Sequence, residues 1–364
     1  MTWVLVLDGP SGDPTLRIAG LPLALRLALD AQQGGASAVV VSPEAGAARA
    51  VLLDARLRVP VLESAPPGVR TVHVPASLVV YRGLFRRIAT HDEQAASAPS
   101  ERHLVREPFP HGAVWGFDPI DVRDGRSARA AESALFRGLR KPEDGWTSRY
   151  LNRYISLFLS RLLVRTPLRP NQISVGILGF GIAGAVFAAQ GTEFGLVLGA
   201  AFLQTQSVLD GCDGEVSRVT YRGSRTGEWL DTIGDDLSNY GYFAGAAWGL
   251  YRLSGGSLLY LVTGAVILFS GLVSSGLEYR YLIKIGSGDL LKYPLSQSTN
   301  QSQSGGALSR LMPIFKRDTF VFLTLVSALV GWLGPMLVIF SLGALGILIS
   351  VLLTERRLAR EGLP

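Results

Sequence analysis

Apolar residues follow two different patterns on either side of residue 145. Before it they come in short runs, VLVL, SAVVV, VPVLE, TVHVPASLVVY and AVWGF, interleaved with helical patterns such as LPLALRLALDAQQGG. Strands alternating with helices predict an α/β domain with a mostly parallel sheet over residues 1–140. Beyond it, no charged side chain occurs at 170–192, 194–209, 237–251, 253–277 or 319–354. A helix rises about 1.5 Å per residue and about 20 residues cross the roughly 30 Å hydrocarbon layer, so several of these runs are expected to span a membrane. The run 319–354 is too long for one span and carries Gly331-Trp332-Leu333-Gly334-Pro335 at its middle, where a tight hairpin is expected. Six helices result, at about 171–190, 194–213, 227–250, 256–282, 317–333 and 336–354, an all-α transmembrane domain over 171–355.

The segment joining the two patterns, 141–170, has aromatic and apolar positions from Trp146 to Ile155 with Arg at helical spacing. It predicts an amphipathic linker helix lying along the membrane interface. Residues 286–310, rich in Gly, Ser, Gln and Asn, form a loop that serves as a lid or as a plain linker.

Composition agrees with a membrane protein: 48% of residues are apolar, 18% are charged and the mean hydropathy is +0.29. The net charge of +6 does not point to nucleic acid, because the basic residues of the C-terminal half flank apolar runs. From residue 161 onward, Arg252 alone falls on one side of the six helices; Arg165, Arg169, Arg218, Lys284, Lys316, Arg317, Arg356 and the rest fall on the other. The positive-inside rule makes that side cytoplasmic, with both termini and the acidic ends of the second and third helices on it, in the cell (inner) membrane. Cys212 is the single cysteine, so no intrachain disulfide forms. The start, MTWVLVLDGPSGD, lacks the pattern of a signal peptide and reads as a first strand.

Candidate chemistry gathers between Asp210 and Asp235. Asp210 and Asp213 stand three apart at the end of the second helix, and Asp231 and Asp235 four apart at the start of the third. On a helix each spacing puts a pair on one face. Carboxylates at a membrane boundary are costly and functional by default. Four of them require a counter-charge, and all-oxygen donors suit hard cations such as Mg²⁺ or Mn²⁺. Two such ions would polarise a phosphoryl group and stabilise both entering and leaving oxygens. Gly211, Gly214 and Gly227 allow a close approach of backbone or nucleotide. Asp236 either orients a ligand or is a solvated neighbour, the second being the preferred reading.

This segment resembles the signature of the CDP-alcohol phosphotransferase (phosphatidyltransferase) family, D-x2-D-G-x2-A-R, eight or nine residues, then G-x3-D-x3-D. Asp210, Asp213, Gly214, Arg218, Gly227, Asp231 and Asp235 fall on its positions, and Ser217 stands where Ala is usual. The stretches at Lys141–Gly145, Ser148-Arg149, Leu151–Arg153, Ile155-Ser156 and Pro170–Ser174 extend the resemblance to about 141–355. It implies a metal site of Asp210, Asp213, Asp231 and Asp235, in which the first three are the main ligands and Asp235 also serves as general base. It implies CDP binding by Asp210, Gly211, Asp213, Gly214, Ser217, Arg218, Gly227 and Asp231, a CDP-alcohol donor, a hydroxyl acceptor that is a lipid or a polyol phosphate, a place in phospholipid or inositol-phosphate-type synthesis, and a homodimer. Arg280, Lys284 and Arg317 are candidates for an acceptor phosphate, and positive-inside anchoring explains them equally well.

The N-terminal run from Ile18 to Arg26, with Gly34-Gly35-Ala36 and Val39-Val40-Val41, resembles the start of sugar-phosphate nucleotidyltransferases. Fused inositol-phosphate cytidylyltransferase/di-inositol-phosphate phosphate synthases join such a domain to a membrane transferase. Here the loop Asp8–Asp13 is short and no Lys precedes Lys141, so a degenerate domain is expected, with Asp8 and Arg17 left as nucleotide-contact candidates. A bifunctional enzyme that also makes the CDP-alcohol from CTP is the alternative. A transporter with an acidic cation path fits less well, since the aspartates sit at one face and not at the midplane.

Overall fold

The structure, a computed structural model, describes residues 3–94, 101–103, 117–140, 145–296 and 317–361. It resolves into two compact units. The first comprises Met1–Lys141 with Arg161–Pro167 and Arg218–Arg222; the second comprises Pro142–Ser160, Leu168–Ser217 and Gly223–Pro364.

The first unit is built on β1 (Trp3–Asp8), β4 (Ala36–Val41), β5 (Val61–Leu62), β6 (Arg70–Pro75) and β8 (Glu101–His103), paired in the order β5-β4-β1-β6-β8. Every pairing is parallel. As far as Leu7, β1 is apolar on both faces, as are the last four residues of β4, because both faces are covered, whereas β6 buries only Val72 and Val74. Trp3, Leu5 and Leu7 pack with α1 (Leu23–Gln33) and α2 (Leu84–Gln94), while Val4 and Val6 face the other side with Ala38 and Val40. Short antiparallel pairs, β2 (Arg17–Ile18) with β3 (Leu21–Pro22) and β7 (Leu78–Val79) with β9 (Ile120–Asp121), lie outside this sheet. Then α3 (Gly125–Arg137) starts at an Asp124 cap whose carboxylate accepts from the Arg126 and Ser127 amides. VPVLE becomes β5, and TVHVPASLVVY splits into β6 and β7; most of AVWGF lies outside the described residues.

Strand order reverses at β1, and the crevice beyond its carboxyl end is where open parallel sheets bind ligands. Asp8 stands there, with its Oδ1 3.1 Å from His73 Nδ1. The loop that follows is stitched down: the Ser11 amide donates to Ser77 Oγ at 3.1 Å, and Ser77 Oγ donates to Asp121 Oδ1 at 2.7 Å. At Gly12 a Cβ would stand 2.1 Å from the Val122 carbonyl oxygen. Arg17 projects from β2 as an exposed residue.

The second unit is helical. A π-turn over Ser148–Asn152 runs into α4 (Arg153–Leu163), followed by α5 (Pro170–Ala188), α6 (Glu193–Thr220), α7 (Arg225–Leu253), α8 (Leu258–Ile285), α9 (Arg317–Leu329) and α10 (Leu333–Glu361). Of these, α5, α8 and α10 are long and apolar enough to cross a membrane. Helices stand at all six expected places, but α6 runs on through Thr220, so the whole first half of the acidic motif is helical. Gly331, at φ +73°, turns the chain between α9 and α10 where the hairpin was expected. Without a hydrophobic drive in lipid, helices pack through small residues that bring backbones together. Accordingly a Cβ at Gly181 would stand 2.0 Å from Ser238 Oγ, at Gly245 2.3 Å from the Ala185 carbonyl oxygen and at Gly249 2.1 Å from that of Ala188, all between α5 and α7. The loop 286–310 is described as far as residue 296, and Lys141–Asp144 and Lys316 lie outside the described residues.

Candidate functional site

Two helices deliver the acidic side chains. Asp210 and Asp213 stand on α6, whereas Asp231 and Asp235 stand on the first turns of α7, which starts at a Ser224 cap accepting from the Gly227 amide at 3.0 Å. Asp213 is buried and accepts from Ser174 Oγ of α5 and from the Gly214 amide. Asp235 accepts from Gln206 Nε2 at 2.9 Å and from Arg317 Nη1. The same Arg317 Nη1 lies 3.7 Å from Asp210 Oδ2, and its Nη2 donates to Gln206 Oε1 at 3.1 Å. Asp210 lies within electrostatic reach of Asp231, Asp213, Asp235 and Arg317. Asp213, Asp231 and Asp235 thus gather around Asp210, and Arg317 at the start of α9 pairs with Asp210 and Asp235.

Among the described residues no three His, Cys, Asp or Glu side chains stand at metal-holding spacing. The donor set is nonetheless all carboxylate oxygen, which is what hard divalent cations bind. The residues present fit such an ion.

Other expected residues fall as follows. Gly214, Ser217 and Arg218 are half-buried on α6 beyond Asp213. Gly211 faces α4, since a Cβ there would stand 3.1 Å from Ser156 Oγ and 3.2 Å from Arg153 Nη1. Gly227 faces α5, where a Cβ would stand 2.9 Å from Asn171 Oδ1. Asp236 differs from the solvated neighbour expected: it accepts from Tyr279 Oη at 2.7 Å and Ser275 Oγ at 2.5 Å, both of α8. A carboxylate one residue past Asp235 points about 100° round the helix, towards that neighbour. Of the acceptor candidates, Arg280 pairs with Glu355 of α10, Lys284 is exposed on α8, and Arg317 pairs with the aspartates.

Sequence reasoning missed Ser174, Gln206 and Glu215. Glu215 is fully buried against α4, where Arg153 Nη1 donates to it at 2.7 Å. The available signal was polarity in the wrong place: Gln204 and Gln206 interrupt an otherwise apolar run, and Glu215 sits where a solvated charge would be costly.

A family model described as CDP-alcohol phosphatidyltransferase matches residues 168–354. Similar proteins are described as bifunctional IPC transferase and DIPP synthase. That of Aquifex aeolicus is 26% identical over 239 residues, 65% of this chain and 50% of that protein. That of Archaeoglobus fulgidus is 34% identical over 170 residues, 46% of this chain and 31% of that protein. That of Thermococcus kodakarensis is 32% identical over 187 residues, 51% of this chain and 40% of that protein. The chain thus spans half or less of the length of these relatives.

Proposed function

This chain belongs to the CDP-alcohol phosphatidyltransferase family, and on that premise we propose that it transfers a phosphoalcohol group from a CDP-alcohol to an acceptor hydroxyl, with release of CMP. The observation that carries this reading is the gathering of Asp213, Asp231 and Asp235 around Asp210 from two helices, with Arg317 paired to Asp210 and Asp235. Asp210, Asp213 and Asp231 would hold Mg²⁺ or Mn²⁺, two ions in all, with Asp235 beside them. Bound there, the metal neutralises the donor diphosphate and polarises its phosphoryl group.

The chain's own groups do the rest. Ser174 holds the Asp213 carboxylate in place, and Gln206 holds Asp235. Gly211, Gly214, Ser217, Arg218 and Gly227 belong to the CDP-binding stretch, in which Gly211 and Gly227 act by letting α4 and α5 close on the motif. An Asp235 oxygen takes the proton from the acceptor hydroxyl as the hydroxyl oxygen bonds to the β-phosphorus. The bond from that phosphorus to the bridging oxygen breaks, and CMP leaves with the electron pair. Arg317, Arg280 and Lys284 supply cationic side chains for a phosphorylated acceptor.

This is a membrane protein in which 171–355 forms the six-helix catalytic domain, with the termini and the site on the cytoplasmic side. Three apolar helices support the membrane assignment. Over 141–170, Trp146, Tyr150, Tyr154, Phe158 and Leu162 recur every fourth residue and are exposed, as suits a helix lying at the lipid boundary. The domain over 1–140 is read as a degenerate nucleotidyltransferase, because its phosphate-binding loop is short and tied to Ser77 and Val122. A homodimer completes the proposal.

The test is incubation of the purified protein with a panel of CDP-alcohols and hydroxyl acceptors, with Mg²⁺ or Mn²⁺, reading CMP. Absence of metal-dependent CMP release across the panel would defeat the assignment.

A further inference from the structure

Glu215 is a carboxylate of the motif segment that the reaction does not use. It lies on α6 two residues past Asp213, with no exposed surface. Both its oxygens are taken by α4. Oε1 accepts from Arg153 Nη1 at 2.7 Å and Ser156 Oγ at 2.8 Å, and Oε2 accepts from Ser160 Oγ at 2.7 Å. Arg153, Ser156 and Ser160 fall three and four residues apart, a single stripe along a helix. The stripe also closes on Gly211, and Cys212 Sγ donates to the Ser156 carbonyl at 3.6 Å. So α4 grips α6 at 211, 212 and 215, behind the turn that bears Asp210 and Asp213.

A buried ion pair adds little to stability, because desolvation offsets much of its Coulomb attraction; its best-attested use is to fix register. Apolar side chains at the same places would hold the two helices together without setting how far one has slid or rotated against the other. Three directed hydrogen bonds to one carboxylate do set it. A helix turns about 100° and rises about 1.5 Å per residue, so a fraction of one step moves a ligand oxygen by more than a metal site tolerates.

We propose that Glu215 is a positioning residue: clamped by Arg153, Ser156 and Ser160, it holds α6 at the rotation and height at which Asp210 and Asp213 meet the divalent metal. The α4 helix is thereby part of the metal site's support and not a linker alone. The inference rests on the phosphotransfer reading of the site, and its first readout is metal binding in place of turnover.

The experiment uses the full chain in one detergent and compares wild type, Glu215→Gln, Arg153→Met and the double variant Arg153→Met/Glu215→Leu. Each is titrated with Mn²⁺ by calorimetry, melted, and assayed for CMP release. Both single variants are expected to bind Mn²⁺ about 10- to 100-fold more weakly, the usual cost of losing a group that orients a ligand. The double variant, with the buried charge removed altogether, should melt near the wild type yet still bind Mn²⁺ weakly. Wild-type affinity in Glu215→Gln, or affinity that recovers in the double variant together with its melting temperature, would overturn the proposal in favour of a purely structural pair. Weakened Mn²⁺ binding in the variants while the wild type releases no CMP would sink the phosphotransfer reading and leave the clamp standing. Failure of the wild type to bind Mn²⁺ would sink both.

Discussion

The proposed mechanism gives Asp235 and Asp213 different work although both are motif carboxylates. Asp235 accepts from Gln206 and Arg317, and the proposed mechanism makes it the group that takes the acceptor's proton. Asp235→Asn should preserve shape and most donor affinity and lower the rate of CMP formation by about 10² to 10⁴-fold, the usual cost of losing a general base. Calorimetry of CDP-alcohol binding beside the rate separates the cases: parallel loss of both would make Asp235 chiefly a ligand. Asp213→Ala should instead abolish metal-dependent CMP release, because it also leaves Ser174 Oγ pointing into a buried gap; turnover at the wild-type rate would remove Asp213 from the metal set. The aspartates were legible because spacings of three and four declare a shared helix face. Their partners were not, since Ser174 and Arg317 arrive from elements far away in sequence. Gly211 and Gly227 were legible as close approaches, but a glycine does not say what approaches it, and here it is α4 and α5.

Between elements, the seam of α5 and α7 depends on the absence of side chains. Gly245→Leu should destabilise the helical unit by more than the roughly 1–3 kcal/mol of ordinary overpacking, because the new atoms meet the backbone oxygen of Ala185 and not a side chain that can move. Gly234→Ala, where a Cβ meets nothing within 4 Å, should be neutral or slightly stabilising through helix propensity. Melting temperatures of the two variants in one detergent make the comparison; equal losses would show that the seam is looser than described. Helix positions were legible to within a few residues wherever charge-free runs bounded them. The extension of α6 to Thr220 was not, because the charges from Asp210 to Arg218 end the charge-free run that marked the helix. In the sheet unit β1, β4, β5, β6 and β7 fall within runs visible in the sequence, whereas the two-residue strands β2, β3 and β9 leave no pattern of their own.

For the molecule as a whole, the two units carry separate liabilities. In the sheet unit burial pushes the Asp30 carboxyl above its ordinary pKa, and hydrogen bonds from the Gly83 amide at 2.9 Å and Tyr221 Oη at 3.1 Å offset this in part. The folded state therefore holds a proton that the unfolded state has released, so from about pH 4 up to the raised value the Asp30 contribution falls as pH rises. Asp30→Asn should remove that slope, seen as the wild-type-minus-variant difference in hydrogen exchange of the β1 and β4 amides across that window; parallel profiles would place the titration elsewhere. In the helical unit the single cysteine lies at zero exposure in the seam between α4 and α6. A thiol reagent can reach Cys212 only when those helices part, so the rate at which the native protein is alkylated counts the openings of that seam. The chain thus carries its own clock for local breathing, readable by mass alone and without an introduced label.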